Sequence, residues 1–220
     1  MEKNNNYLET DKISGEVQKE VKEGLSLLNK IDDKIVSFFG SHKISKDNDY
    51  YKECKRTALE LGKRGYTVIT GGGPGIMHAA NSGATESNAK SIGLIAGLLT
   101  KEKIIDPIFT QTVSFNFLFV RRFILSIKSK ALIFFPGGYG TLNELFEYAV
   151  LMQTGIVDIV PIICVNKEYW KGLFEWLQKN PLKNDFLIHN TKDLGLFHFV
   201  DCLDEILEII EGQQAQFQAE

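Results

Sequence analysis

The stretch ALIFFPGGYGTLNELFEYAV (residues 131–150) leads from an apolar run through a glycine-rich turn into a helical pattern. The run Ala131–Phe135 predicts a buried strand, and the apolar residues after Thr141 recur at helical spacing. A strand that passes through a tight turn into a helix is the repeating unit of a parallel sheet covered by helices. This segment therefore predicts an α/β fold.

The rest of the chain repeats this unit. Further apolar runs predict strands at 35–40, 67–72, 91–97, 108–114 and 160–166. Amphipathic or capped segments predict helices at 13–31, 49–64, 74–87, 115–129, 141–155, 168–178 and 201–211. Such alternation indicates a mostly parallel sheet with helices on both faces. We expect a single domain over 13–211, between a loose N-terminus at 1–12 and a C-terminal tail at 212–220.

Composition excludes several classes of protein. The 220 residues are 44% hydrophobic, which suffices for one domain with a full core. A net charge of −3 without any basic block argues against binding to nucleic acid. No apolar stretch approaches the roughly 20 residues of a membrane helix, and the polar N-terminus lacks the form of a secretion signal. We therefore expect a cytoplasmic protein that binds neither membranes nor nucleic acid.

The cysteines and histidines indicate neither a disulfide nor a metal site. Cys54, Cys164 and Cys202 are scattered and lack CxxC spacing, so we expect reduced thiols that pack in the core. The four histidines (His42, His78, His189 and His198) show no metal-ligand spacing. No metal is therefore predicted.

Glycine-bearing turns follow three of the predicted strands. They are Gly40-Ser41, the GGGPG turn at 71–75 and the GGYGT turn at 137–141. Because parallel sheets bind ligands beyond the carboxyl ends of their strands, three such turns predict one shared cleft. In GGGPG, contact of Gly72 and Gly73 with a phosphate or ribose and a plain strand–helix turn are equally good interpretations. The chain has no GKS or GKT, which excludes a P-loop, and no GxGxxG dinucleotide fingerprint.

Glu144 has two possible roles. As the last residue of Thr141-x-x-Glu144 it can close a capping box. Alternatively, the glycines of the preceding turn let the backbone approach a phosphate monoester, and Glu144 faces the bound substrate. The predicted core stripe of this helix places Glu144 and Glu147 away from the core; its residues are Leu142, Leu145, Phe146, Ala149 and Val150.

Two arginines favour the substrate interpretation. Arg121 and Arg122 lie in FNFLFVRRFILSI (115–127), which is otherwise almost wholly apolar. An uncompensated charge in a buried helix costs several kcal/mol, so the pair predicts an anionic partner. The guanidinium groups either extend to the surface or reach a phosphate or base held by the glycine turn.

These residues together resemble the LONELY GUY family of nucleoside-monophosphate phosphoribohydrolases. FVRR (119–122) precedes PGGYGTLNE (136–144) at the spacing of that family. The resemblance extends over about 33–180 through FFGS (38–41), YTVITGGGPGIMHAANSGA (66–84), LMQTG (151–155) and Tyr169-Trp170. It implies a Rossmann-like, doubly wound sheet and a homodimer or higher homo-oligomer whose subunits complete the sites. It also implies hydrolysis of a purine riboside 5′-monophosphate to free base and ribose 5-phosphate, without a cofactor.

The resemblance assigns roles to individual residues. Arg121 and Glu144 fall on the catalytic pair. The substrate-binding set comprises Gly137, Gly138, Tyr139, Gly140, Thr141, Arg122, Gly72, Gly73, Gly40 and Ser41. Near the ribose, Glu144 can stabilise an oxocarbenium-like sugar, orient hydroxyls or activate water. Arg121, whose pKa is above about 12, can hold the phosphate or stabilise charge on the departing base.

The sequence departs from the family pattern at three places, the last of which leaves the base undefined. Arg122 stands where lysine is usual, Asn143 stands where a second acid is frequent, and LLTKEKIIDPI (98–108) differs from the usual stretch. Both a cytokinin and adenine therefore remain open. Relatives often carry the label lysine decarboxylase, but the sequence shows no Schiff-base lysine with a supporting acid for pyridoxal phosphate. The alternative from another class is a non-catalytic nucleotide-binding or carrier module of the same fold.

Overall fold

A single parallel sheet organises the chain. The computed structural model describes residues 10–31, 34–97 and 108–217. Within these ranges seven strands form: β1 (Lys34–Phe39), β2 (Tyr66–Thr70), β3 (Ser91–Ala96), β4 (Gln111–Phe115), β5 (Ser129–Phe134), β6 (Ile162–Val165) and β7 (Phe197–Val200). All neighbours pair in parallel, in the order β4-β3-β2-β1-β5-β6-β7. The strand order therefore reverses at β1, which pairs with β2 on one side and β5 on the other.

Helices cover both faces of this sheet. In the described part of the chain they are α1 (Thr10–Asn29), α2 (Asp49–Lys63), α3 (Ile76–Glu86), α4 (Leu118–Ser126), α5 (Tyr139–Gln153), α6 (Lys167–Leu177), α7 (Thr191–Leu194) and α8 (Leu203–Phe217). A π-helical turn, Gln178–Leu182, continues α6. Ile35 and Phe39 of β1 pack in a cluster with α1, α4, α5 and α6. Val36 and Phe38 pack on the other face with α2, α3 and α8. This alternation confirms the predicted three-layer α/β fold.

Several element boundaries differ from the prediction. The helix predicted at 115–129 is shorter, because Phe115 still pairs with β3 and Ile127 is already extended (ψ 138°), before Lys128 takes a left-handed φ of 63°. The helix predicted from 74 begins at Ile76, after Gly75 with a φ of 67°. The short strand β7 was not predicted, since two of its four residues are only half-buried.

The chain ends also differ from the expectation. α1 begins at Thr10, so residues 10–12 of the predicted loose N-terminus are helical, while 1–9 lie outside the described residues. α8 continues to Phe217, well into the predicted tail at 212–220, of which 218–220 lie outside the described residues. Cys54 and Cys164 are buried as expected, but Cys202 is exposed because it lies in the turn after β7. None of the helices described here has the length and apolar character needed to cross a membrane.

Candidate active site

The turns after β1 and β5 meet where the strand order reverses. The N–H of Phe135 donates to the carbonyl oxygen of Phe39 (2.9 Å), and the N–H of Ser41 donates to that of Pro136 (3.0 Å). The N–H of Ile76 at the start of α3 donates to the carbonyl oxygen of Ser41 (3.1 Å). Three hydrogen bonds therefore join the turn after β1 to both other glycine turns, at the edge where an open α/β sheet binds ligands.

Two glycines in these turns are required by close packing. A Cβ atom at Gly71 would lie 1.9 Å from Nη2 of Arg121, and a Cβ atom at Gly137 would lie 2.2 Å from Oγ1 of Thr141. Gly138 and Gly140, in contrast, have no described heavy atom within 4 Å of such a position. A side chain is therefore excluded at Gly71 and Gly137, whereas the space at the Cβ positions of Gly138 and Gly140 is open.

The other predicted glycine contacts are engaged within the protein. The N–H of Gly72 donates to Oγ1 of Thr70 (2.9 Å), so it is directed into its own turn. Gly73 lies against Met77, whose Cε is 2.6 Å from an added Cβ, and Gly40 lies against Ile76 in the same way (2.8 Å). These three glycines allow the turns to pack together beside the cleft.

The first turn of α5 is open toward the cleft. The helix begins at Tyr139, its N-cap is Gly138, and no side chain caps it. Its first internal hydrogen bond runs from the N–H of Leu142 to the carbonyl oxygen of Gly138 (3.0 Å). The N–H groups of Tyr139, Gly140 and Thr141 therefore have no acceptor within the helix. Such a helix start attracts anions, both through its N–H groups and through the helix dipole.

The predicted capping box is wrong. Because the helix starts at Tyr139, Thr141 lies inside the first turn and is buried, and Glu144 belongs to the second turn. Among the residues that the structure describes, Glu144 makes no hydrogen bond or ion pair that would return its carboxylate to the backbone. The predicted core stripe also needs correction: Val150 is exposed, and the buried positions are Thr141, Leu145, Tyr148 and Met152.

Arg121 is fixed between two strand ends. Its Nε donates to the carbonyl oxygen of Leu94 in β3 (2.6 Å), and its Nη2 donates to that of Gly71 after β2 (3.2 Å). The guanidinium is therefore directed across the carboxyl edge of the sheet and does not extend to the surface. Burial lowers the pKa of Arg121, and attraction to Glu144 opposes that effect.

Arg122 has a carboxylate partner that the sequence did not predict. Its Nε forms a short ion pair with Oε2 of Glu147, and both side chains are largely buried. The hydroxyl of Tyr148 donates to the carbonyl oxygen of Arg122 (3.0 Å). The sequence pattern placed Glu147 away from the core without naming a partner; its position one turn after Glu144 was the available signal that both acids face the arginine helix.

Glu144 has the electrostatics of a functional carboxyl group. Burial raises its pKa to about 7, against the attraction of Arg121 and then Arg122, while Glu147 adds to the rise. Burial, and to a lesser extent Glu144, likewise raises the pKa of Tyr148 well above its usual range. A carboxyl group with a raised pKa beside a fixed cation is typical of active sites.

Tyr169 holds the glycine loop from the neighbouring helix. Its hydroxyl donates to the carbonyl oxygen of Gly137 (2.5 Å) and accepts from the N–H of the same residue (3.3 Å). Asn166 caps α6 by accepting from the N–H of Tyr169 (2.7 Å). Tyr169 was part of the resemblance, but no local sequence pattern predicted that it would contact this loop.

A groove lies on the other face of the sheet. It has a volume of about 480 Å³ between α2 and α3, and its walls include Tyr51, Lys55, Arg56 and Glu86. Lys55 and Glu86 form an ion pair across it (2.7 Å). None of the predicted site residues lines this groove, so we place the candidate site at the strand reversal.

Comparisons with known proteins identify the family. A family model described as "Possible lysine decarboxylase" matches residues 77–216. A probable cytokinin riboside 5′-monophosphate phosphoribohydrolase of Oryza sativa subsp. japonica is 30% identical over 198 residues, which cover 87% of this chain and 76% of the relative. The chain belongs to the LONELY GUY family.

Two further similarities place this LONELY GUY chain among its relatives. A pyrimidine/purine nucleotide 5′-monophosphate nucleosidase of Escherichia coli (strain K12) is 24% identical over 184 residues, which cover 80% of this chain but 39% of the relative. The solved structure of the molybdenum cofactor binding protein from Rippkaea orientalis superposes with a TM-score of 0.61 at 18% identity, covering 83% of this chain and 98% of that protein. That likeness confirms the Rossmann-like, doubly wound fold.

Proposed function

We propose that this chain is a nucleoside 5′-monophosphate phosphoribohydrolase that cleaves the N-glycosidic bond of purine riboside 5′-monophosphates. The products are the free base and ribose 5-phosphate. The observation that carries the proposal is the position of Glu144, partly buried beside the Arg121 guanidinium and next to the open first turn of α5. A carboxylate, a fixed cation and an anion-binding helix start are the three groups that this reaction needs.

The phosphate has a place at the glycine loop. We assign it to the free N–H groups of Tyr139, Gly140 and Thr141, with space above Gly138 and Gly140 for its oxygens. The N–H of Gly137 is already engaged by Tyr169, so the donors begin after it. Arg122 is neutralised by Glu147 and contributes to the local field more than to direct contact.

Glu144 and Arg121 divide the chemistry between them. Cleavage of an N-ribosyl bond develops positive charge on the sugar, which an ionised Glu144 stabilises, while it can also orient a ribose hydroxyl or activate water. Arg121 stays protonated and uses two of its five N–H donors on Leu94 and Gly71. The remaining donors can stabilise negative charge on the phosphate or on the departing base.

The base is proposed to be a purine, either adenine or a cytokinin. The names of the relatives include both a cytokinin riboside 5′-monophosphate and a broader set of pyrimidine and purine nucleotides. The same fold also serves a molybdenum cofactor binding protein, so the fold alone does not distinguish a hydrolase from a carrier. The Arg121–Glu144 pair favours the hydrolase, because a carrier has no need of a carboxylate beside the ribose.

Release of free base tests the proposal. Incubation with AMP and with isopentenyl adenosine 5′-monophosphate, followed by chromatography, is expected to yield base and ribose 5-phosphate in equal amounts. Glu144→Gln and Arg121→Ala are each expected to lower kcat/KM at least about 100-fold, because each removes a group that stabilises transition-state charge. Glu175→Gln, on exposed α6 surface, serves as the matched control and keeps wild-type activity.

Two outcomes would contradict this function. Tight nucleotide binding by the wild type without any release of base would establish the carrier alternative. Full turnover in Glu144→Gln would remove the carboxylate from the reaction.

We also propose that the chain works as a homodimer. Phe119 of α4 and Val150 of α5 are each 53% exposed. They lie three residues from Arg122 and Glu147 respectively, so they flank the ion pair that joins the two helices. Leu118 on α4, and Ile156 and Ile159 after α5, are exposed as well. Large apolar patches of this kind are typical of protein interfaces.

A further inference from the structure

A buried carboxylate outside the candidate site holds the start of the arginine helix. Glu20 of α1 is 6% exposed. Its Oε1 accepts from the N–H of Asn116 (2.7 Å), and its Oε2 accepts from the N–H of Phe117 (3.2 Å). Phe117 is the N-cap of α4, which has no side-chain cap from its own segment. A residue 96 positions earlier in the chain therefore caps this helix.

The capped peptide is joined directly to Arg121. The main-chain N–H of Arg121 donates to the carbonyl oxygen of Phe117 (3.1 Å), the first helical hydrogen bond of α4. At the other end of the side chain, the guanidinium must reach the carbonyl oxygens of Leu94 and Gly71. The position of the Phe117 peptide therefore determines whether the guanidinium meets both acceptors.

Packing between α1 and α4 fixes the approach of the two helices. A Cβ atom at Gly24 would lie 2.6 Å from Cγ1 of Ile124, so α1 contacts α4 closely one turn after Glu20. Leu27 and Leu28 of α1 join the same apolar cluster as Val120 and Ile124. This apolar contact fixes the distance between the helices, whereas the two hydrogen bonds of Glu20 fix the point at which α4 begins.

We infer that Glu20 is a positioning residue for Arg121, acting through the first turn of α4 and not through contact with substrate. Glu20 lies in α1, which precedes the residues matched by the family model, 77–216. The catalytic consequence of this positioning role rests on the proposed function, but its geometric consequence for Arg121 does not.

Kinetics of matched variants give the first test. In Glu20→Gln the amide can accept only one of the two N–H groups, and its NH₂ faces the other. We expect kcat/KM to fall about 10-fold, since sub-ångström misplacement of a reacting group is costly. Glu23→Gln, an exposed acid one turn further along α1, is expected to stay within twofold of wild type. Glu20→Asp keeps the charge on a shorter side chain and is expected to lie between the two.

The coupling to Arg121 separates positioning from a merely structural role. In an Arg121→Lys background, the effect of Glu20→Gln is expected to shrink below twofold, because the group that it positions has been replaced. An equal loss in both backgrounds would overturn the inference.

A spectroscopic readout tests the geometry without any turnover. The Nε–H of Arg121 is hydrogen-bonded to Leu94, so it should give a slowly exchanging ¹⁵N–¹H signal, assigned by its loss in Arg121→Lys. We expect this signal to shift or broaden in Glu20→Gln and to remain unchanged in Glu23→Gln. An unchanged signal in Glu20→Gln would overturn the inference. If the wild type releases no base, the proposed function fails while this measurement still decides the role of Glu20.

Discussion

The carboxyl group of Glu144 lies in surroundings that favour its neutral form. Burial is the dominant cause of its pKa of about 7, and the attraction of Arg121 only partly offsets it. The folded protein therefore retains a proton that the unfolded chain releases between the ordinary carboxyl pKa and about 7. In this window stability falls as pH rises, so an ionised Glu144 destabilises the fold at the pH where the reaction needs it.

Removing this charge should stabilise the protein at high pH. Glu144→Gln is expected to raise the free energy of unfolding by up to about 3 kcal/mol at pH 8. At pH 4.5 the difference is expected to be under about 0.5 kcal/mol, because the folded wild type is already protonated there. Urea unfolding at both values measures this, with exposed Glu168→Gln as the control. A gain that is equal at both pH values would contradict the assigned pKa shift.

The sequence predicted that Arg121 and Arg122 need partners, but it did not predict which groups those partners are. Adjacent arginines in an apolar helix predicted an anionic partner; Arg122 has a carboxylate partner, whereas Arg121 is hydrogen-bonded to neutral acceptors. Arg121 takes main-chain carbonyl groups and Arg122 takes Glu147, because α4 packs between the strand ends and α5. Helical periodicity within one segment carries no information about that neighbour, so Glu147 was placed away from the core without a partner.

At the scale of elements, the glycine loop depends on the helix after the next strand. The Tyr169 hydroxyl engages both main-chain groups of Gly137, while its ring packs edge-on against Trp170 (4.9 Å between centroids). Asn166, with a left-handed φ of 75°, sets the direction in which α6 leaves the sheet. The loop is therefore held at Gly137, one residue before the N-cap of α5.

Loss of the Tyr169 hydroxyl should make the glycine loop at 137–141 more mobile, while the aromatic ring of residue 169 keeps its packing against Trp170. In Tyr169→Phe we expect KM for the nucleotide to rise by up to about 30-fold, since two hydrogen bonds of about 1 kcal/mol each are lost. The value of kcat should stay within twofold. Steady-state kinetics measure both constants, and Tyr50→Phe on α2 is the control. A fall in kcat at constant KM would instead indicate a direct part in the chemistry.

Element types were predictable here because apolar runs and helical periodicity report burial directly. Six strands and their intervening helices follow from these signals. The boundaries of α4 and α5 did not follow from them, since α5 begins after Gly138 and α4 ends before the extended Ile127, and periodicity does not contain this backbone geometry. The error mattered at α5: a start at Thr141 makes Glu144 a capping residue, whereas the start at Tyr139 releases it for other contacts.

At the scale of the whole molecule, the apolar surface of α4 and α5 should hold two copies together. Phe119→Asp places a charge in that surface and is expected to convert a dimer to monomer at micromolar concentration. Sedimentation velocity measures the change. Trp176→Asp, on exposed α6 surface, serves as the matched control and leaves the assembly intact. A wild type that is monomeric at these concentrations would contradict the proposed assembly.

The central place of β1 has a consequence for biosynthesis. Its partner β2 follows after one helix, but its other partner, β5, begins only at Ser129. A growing polypeptide that has emerged as far as β4 can pair four strands and still leave one edge of β1 bare. Unpaired edges invite association with other chains. The strand order that reverses at β1 thus leaves the ribosome-bound chain prone to association with other chains until β5 has been synthesised.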